Sequence, residues 1–326
     1  MGLVNVVLNY YSLFSLSEYH NNEYQSVRDC LNALNEKDAP IELRTLLTVI
    51  KKFENEGILL RIGQKGTDPI YDATYIAQNL RPRYMDYGSY QFYYDGFVSI
   101  RRHFAPAVLP VEVRKPNGDY DIGTCFVIGA NRALTAKHCI ENMENVKILD
   151  SHGQPVRPSS IYIPADEGDI ALIELDYYNF NGPYFEIEYG NVLDEILTMG
   201  YPPIPGFDAV PVAEVTHVGS SIKVSKGRIV GEGATYRTGE DFYLINARVK
   251  GGNSGSPIIN ELGYVIGMLV NIPLDKDDRT KLDHLAYGVA VTGLNLSRFL
   301  HNIRRGNQIV NLPFSHTADG FSTTSN

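Results

Sequence analysis

The chain has 326 residues, is 44 % hydrophobic and 21 % charged, and carries a net charge of −9. That length is ample for two or three packed cores and too much for one small domain. The acidic balance tells against a nucleic-acid surface, which needs a basic stripe. The opening stretch, "MGLVNVVLNYYSLFSL", is apolar, but Asn5, Asn9, Tyr10 and Tyr11 interrupt it and no basic residue precedes it. It reads as neither a membrane span nor a secretion leader, and it is expected to pack inside a domain.

Residues 24–57 carry helical periodicity. "NEYQSVRDCLNALNEKDAP" puts Val27, Cys30, Leu31 and Leu34 on one face. Asp38 and Pro40 suit the start of a second helix. There "IELRTLLTVIKKFENEG" aligns Leu43, Leu46, Leu47, Ile50 and Phe53 ahead of a stop at Gly57. Two β-like runs, "ILLRI" and "IYDATYI", flank "GQKGTDP" and predict a hairpin. Helix, helix, hairpin fits a winged-helix unit and equally a general α+β adaptor. Residues 1–90 hold 9 Lys/Arg against 11 Asp/Glu, so a protein partner is favoured over DNA. Residues 81–105, rich in Tyr, Phe and Arg, read as an interdomain connector.

From about residue 106 the texture changes. Short β-branched and aromatic runs such as "AVLPVEVRK", "GTCFVIG", "IALIEL", "FYLINARV" and "GYVIGMLVN" recur between turn residues, which predicts an antiparallel β domain. "TGLNLSRFLHNI" reads as a closing helix, and the polar end as a flexible tail. The predicted layout is an α+β regulatory or partner-binding domain over 1–95, a β domain over 96–306 and a tail over 307–326.

Three segments of the β domain carry chemistry together. "LTAKHCI" sets His138 after a β run, "EGDIALIEL" sets Asp169 at the entry to another, and "GGNSGSP" sets Ser254 after a third, with Gly252 two residues before it. A serine hydroxyl attacks only when a base takes its proton, and that base is commonly a histidine held by a carboxylate. Glycines around the serine let backbone N–H groups turn inward towards a developing oxyanion. Asp166 and Ser256 are competing candidates, but "DIALI" favours Asp169, and Ser256 lies past the turn beside Pro257. No Cys/His cluster has metal-ligand spacing, and no metal or cofactor is expected.

In this order "TAKHC", "DIALI" and "GNSGSP" resemble the chymotrypsin-like, or trypsin-like, serine peptidases. Asn253 and Ser256 bring the last motif nearest in style to the bacterial glutamyl endopeptidases. The resemblance covers about residues 104–303. It implies two antiparallel six-stranded β-barrels, about 104–190 and 205–292, with a closing C-terminal helix and the site between them. It assigns the catalytic roles to His138, Asp169 and Ser254, and the oxyanion N–H groups to Gly252 and Ser254. By position it places Arg248 at the base of the primary substrate pocket, beside Val249, with Val270, Asn271 and Ile272 opposite. A guanidinium there would favour a carboxylate; the alternative turns Arg248 outward and leaves a small apolar pocket lined by Val249 and Val270. Cys125 and Cys139 resemble the family's disulfide beside the histidine, although Cys125 stands closer in sequence to the histidine than the family's partner does. With an odd count of three cysteines, Cys30 included, and no leader in view, both are expected as thiols in the cytoplasm. The expected activity is endopeptidase cleavage of protein or peptide substrates, with a regulatory protein partner on residues 1–95. The rivals are an idle protease-fold interaction module and a winged-helix transcription regulator with a self-cleaving domain. Nucleic acid and membrane are not expected partners.

Overall fold

The computed structural model describes residues 2–36, 41–150, 152–176, 180–202, 222–234, 241–249, 252–270 and 287–324. The chain divides into two compact units, residues 1–97 and 98–326.

In the first unit the apolar opening forms helix α1 (Leu3–Tyr10), which buries Val4, Val7 and Leu8 at three- and four-residue spacing. A short helix α2 (Leu13–Glu18) and strand β1 (Gln25–Ser26) follow. Ser26 and Asp29 then cap each other's backbone at the start of α3 (Val27–Asn35). Helix α4 (Leu43–Asn55) buries Leu46, Ile50 and Phe53 of the predicted stripe together with Val49, and leaves Leu43 and Leu47 at the margin. The hairpin is present as β2 (Leu59–Gln64) and β3 (Ala73–Ala77), and the antiparallel sheet runs β1–β3–β2. The stretch read as a connector is helical: α5 (Pro82–Tyr87) and α6 (Ser89–Asp95) belong to this unit, and α7 (Phe97–Phe104) opens the second. Pro82 opens α5, and Gly88 and Gly96, both at positive φ, separate the three. The dense Tyr and Phe content masked their period.

The second unit is almost entirely antiparallel β. Its first sheet takes β4 (Val108–Arg114), β5 (Tyr120–Gly129), β6 (Arg132–Thr135), β7 (Asn145–Leu149), β8 (Pro155–Val156), β9 (Pro158–Pro164) and β10 (Ala171–Leu175). Its second takes β11 (Glu195–Gly200), β12 (Lys223–Ala234), β13 (Asp241–Ile245), β14 (Pro257–Asn260), β15 (Val265–Leu269) and β16 (Gly288–Thr292). These six close into a barrel in the order β11–β12–β13–β16–β15–β14. Helix α8 (Gly293–Arg305) follows, capped by the Thr292 hydroxyl and stopped by Gly306 in the left-handed region.

The first sheet departs from a closed barrel. Its six main strands run β9–β10–β6–β5–β4–β7, and among the described residues both ends are occupied by the chain's last residues. Strand β17 (Ile309–Asn311) pairs with β9, and the hairpin of β18 (Ser315–His316) and β19 (Phe321–Ser322) pairs with β7. The segment expected as a flexible tail is therefore folded. Main-chain pairing at two sheet edges holds it, along with the buried ring of Phe321. Phe104, at the end of α7, stacks on Phe185 at 4.5 Å, and Phe185 meets Phe126 of β5 edge-on, all three buried.

Candidate active site

His138 sits on a single 3-10 turn, Lys137–Cys139, that leaves β6. Asp169 stands immediately ahead of β10, which pairs with β6 in antiparallel register. That ladder brings residues 31 apart in sequence into contact. The Asp169 carboxylate accepts the His138 backbone N–H at 2.9 Å and faces the ring Nδ1 at 2.6 Å. In the neutral ring this pairing puts the proton on Nδ1 and makes Nε2 the acceptor. Asp166 does something else: its carboxylate caps the Gly168 N–H at 3.0 Å. Of the two carboxylates, Asp169 is the one that meets the imidazole.

Opposing influences act on the imidazole. Burial pulls its pKa down, but the hydrogen bond to Asp169 and the Cys139 sulfur beside it outweigh burial, and the value is raised above that of an ordinary histidine.

Ser254 lies in the turn ahead of β14 and is half-buried. Two glycines shape this turn, Gly252 at φ +87° and Gly255 at φ +81°. At Gly255 a side chain would meet Thr135 Oγ1 at 2.5 Å and drive into the Thr124 carbonyl oxygen. The close approach of β5 and β6 therefore requires glycine there. The Ser254 carbonyl accepts the Thr124 N–H at 2.9 Å and meets the Cys139 sulfur at 3.7 Å. The same sulfur lies 3.8 Å from His138 Nε2. Cys139 thus touches the histidine and the serine loop at once. Among the described residues this shared contact, and not a Ser254–His138 hydrogen bond, links the two; such bonds are often long before substrate binds. Ser256 is fully buried.

The remaining predicted positions are less convergent. Arg248 is exposed beyond the end of β13. Val249 packs on the barrel core and would meet a side chain at Gly288 within 2.7 Å. Val270 is buried at the end of β15. Asn271 and Ile272 lie outside the described residues. Among the described residues no cluster of His, Cys, Asp and Glu could hold a metal ion, and no helix is long and apolar enough to cross a membrane.

All three cysteines are free. Burial and the neighbouring Cys139 push the Cys125 thiol far up. Yet the position facing Cys139 most directly is Gly123, where a Cβ would stand 2.8 Å from Cys139 Sγ. Gly123 is two residues before Cys125, which accounts for the odd sequence spacing of Cys125. Reading by motif also overlooked Thr124, inside "GTCFVIG", and Thr323. Neither carries a sequence signal beyond being a threonine.

A trypsin-like peptidase domain model matches residues 123–268, a span that includes His138, Asp169 and Ser254. The chain carries a trypsin-like peptidase domain. It is 24 % identical over 198 residues to "Protease Do-like 2, chloroplastic" of Arabidopsis thaliana, covering 59 % of this chain and 29 % of that protein. It is 27 % identical over 154 residues to a serine protease of Mycobacterium tuberculosis, covering 47 % of this chain and 36 % of that protein. The chain therefore spans about a third of these curated relatives. Among solved structures, the active form of a Mycobacterium tuberculosis protease aligns with a TM-score of 0.48 and 21 % identity, covering 69 % of this chain and 89 % of that one. A serine endoprotease from Yersinia pestis aligns at 0.45 and 21 %, covering 65 % and 68 %.

Proposed function

We propose that the protein is a serine endopeptidase that cleaves protein substrates through an acyl-enzyme, with Ser254 as nucleophile. In the first step Ser254 Oγ bonds to the substrate's carbonyl carbon and its proton passes to His138 Nε2. The carbonyl electron pair moves onto oxygen, where the N–H groups of Gly252 and Ser254 receive it. Collapse breaks the C–N bond, and His138 returns the proton to the leaving amine. Water, deprotonated by the same imidazole, then releases the acyl group. Asp169 keeps the ring oriented and steadies its charged form. The observation that carries this reading is the Asp169–His138 pair at 2.6 Å with the Ser254 loop held beside it through Cys139.

A fluorophosphonate probe tests it. Covalent labelling of the wild type, abolished in Ser254→Ala, is expected. An unlabelled wild type with intact fold would leave an interaction module as the better reading.

The N-terminal unit supports a regulatory role. Its order of two helices, a strand, two further helices and a hairpin, with β1 against β3, suits a winged helix. Its hairpin cation Lys65 is engaged by Asp29 and Glu23, and Arg28 by Asp72, so a protein partner suits it better than a phosphate backbone. Three free thiols, two of them beside the site, suit a reducing compartment such as the cytoplasm. Deleting residues 1–95 is expected to change basal activity or abolish cleavage of the true partner; identical kinetics on peptide and protein would reject that role.

A further inference from the structure

Thr124, fully buried on β5, makes four hydrogen bonds around the Ser254 loop. Its N–H donates to the Ser254 carbonyl at 2.9 Å. Its hydroxyl donates to the Gly252 carbonyl at 2.9 Å and accepts the Tyr201 N–H at 3.2 Å. Its own carbonyl accepts the Thr135 hydroxyl at 2.7 Å. One residue of the first sheet thus grips the loop on both sides of the peptide that presents the Ser254 N–H.

The geometry has a consequence for the oxyanion. A peptide group is planar, so holding its carbonyl also aims the N–H of the next residue. The Gly252 carbonyl fixes the plane before Asn253, and the Ser254 carbonyl fixes the plane before Gly255. The second is pinned again by the Gly255 N–H, which donates to Leu269 at 2.7 Å. The first rests on glycine, the residue whose backbone rotates at least cost. Among the described contacts, only the Thr124 hydroxyl holds that carbonyl.

We propose that Thr124 is a positioning residue. Its hydroxyl holds the Gly252–Asn253 peptide plane, which lies between the peptides that carry the Gly252 and Ser254 N–H groups, so that neither N–H turns away from the developing oxyanion. The inference rests on the serine-peptidase reading above. Thr124 exchanges no proton and touches no substrate. Its loss therefore weakens transition-state stabilisation and leaves substrate binding in place.

The test uses the full chain with Thr124→Ser, Thr124→Cys and Thr124→Val. It measures kcat and KM on a fluorogenic peptide that the wild type cleaves. It also measures affinity for a peptidyl aldehyde, whose tetrahedral adduct needs the oxyanion donors. Thr124→Ser should stay within about threefold of wild type, because it keeps the hydroxyl. Thr124→Val should lose about 10- to 100-fold in kcat with KM nearly unchanged, and lose aldehyde affinity in parallel. Thr124→Cys should fall between them. A kcat in Thr124→Val within threefold of wild type, a change confined to KM, or a Thr124→Ser as slow as Thr124→Val would overturn the proposal. Should Thr124→Val fail to fold, Thr124→Cys decides, and wild-type kcat in that variant overturns it. Fluorophosphonate labelling separates the two levels. An unlabelled wild type removes the peptidase reading itself, whereas equal labelling rates in wild type and Thr124→Val remove only the role of Thr124.

Discussion

The second barrel closes on itself, with β11 pairing to both β12 and β14, whereas the first sheet stays open and ends on strands drawn from residues 309–322. The closed barrel leaves no ladder edge to cover; the open sheet covers its edges with borrowed strands. The difference reaches the site. The Ser254 turn leads directly into β14 of the closed barrel. The His138 turn depends in part on the chain's last residues. The Thr323 hydroxyl donates to the Ile140 carbonyl at 2.5 Å and accepts the Met143 N–H at 3.0 Å, while its own N–H donates to the Met143 carbonyl at 3.0 Å. Ile140 is two residues beyond His138. The two halves of one site are thus stabilised at different distances along the chain.

The largest effect should come from removing the chemistry in either half. Ser254→Ala and His138→Ala are each expected to lower turnover by about a thousandfold or more, with the melting temperature nearly kept, since neither side chain fills a core. Near-normal turnover in either variant would end the peptidase reading and the comparison with it.

A smaller effect should fall on the histidine half alone. Thr323→Val removes the hydroxyl bond to Ile140 and keeps the side-chain volume. It is expected to lower kcat by about tenfold through loosening of the 137–143 turn, a displacement too small to unfold the sheet. Deleting residues 309–324 should cost more and also lower the melting temperature, because Phe321 leaves a buried site and both sheet edges open. Full activity after that deletion would show that the borrowed strands contribute nothing to the histidine.

The same turn sets the pH profile. His138 acts as a base only when neutral, and its pKa is raised above the ordinary histidine value of about 6.5. The rate should therefore fall as pH drops through that higher value, placing the acid limb on the alkaline side of about 6.5. The linked stability has the opposite trend. The charged His138–Asp169 pair stabilises the fold fully below about 6.5, and that contribution fades as pH rises through the folded-state value. Asp169→Asn should move the limb towards acid and lower the rate; an unmoved limb would remove Asp169 as the cause.

Much of this was legible from residues. The ordered motifs pointed to His138, Asp169 and Ser254 because each stands at a strand end with turn chemistry around it, and the first two meet in the structure. The helical stripes of residues 27–53 were legible because burial repeats there every three or four positions. The end of the chain was not. Its strands are two or three residues long and largely polar, and they are stabilised by main-chain bonds that any residue can make. Among its described residues only Gly320, Phe321 and Thr323 are buried, too few to form a pattern. The open edge of the first sheet was hidden for the same reason. Nothing in a strand's own sequence says which partner its edge will find.

The smallest expected change in activity gives the sharpest test of the comparison. Gly123 lies on β5 with its Cβ position 2.8 Å from Cys139 Sγ and 3.2 Å from Cys139 Cβ. Gly123→Cys should therefore form a disulfide with Cys139 under oxidising conditions after a slight shift, closing a loop of about 15 residues. The chain-entropy model assigns such a loop about 3 kcal/mol of stability. Turnover of this variant should stay close to wild type, because the tie holds the turn where it already is. In the Thr323→Val background the same bond should restore most of the lost kcat when oxidised, and the gain should vanish with dithiothreitol. That reversal would show that the borrowed strands and a covalent tie do one job, fixing the turn that carries His138. If the oxidised double variant stays as slow as Thr323→Val although mass mapping shows the bond, the C-terminal segment acts on something other than the histidine turn.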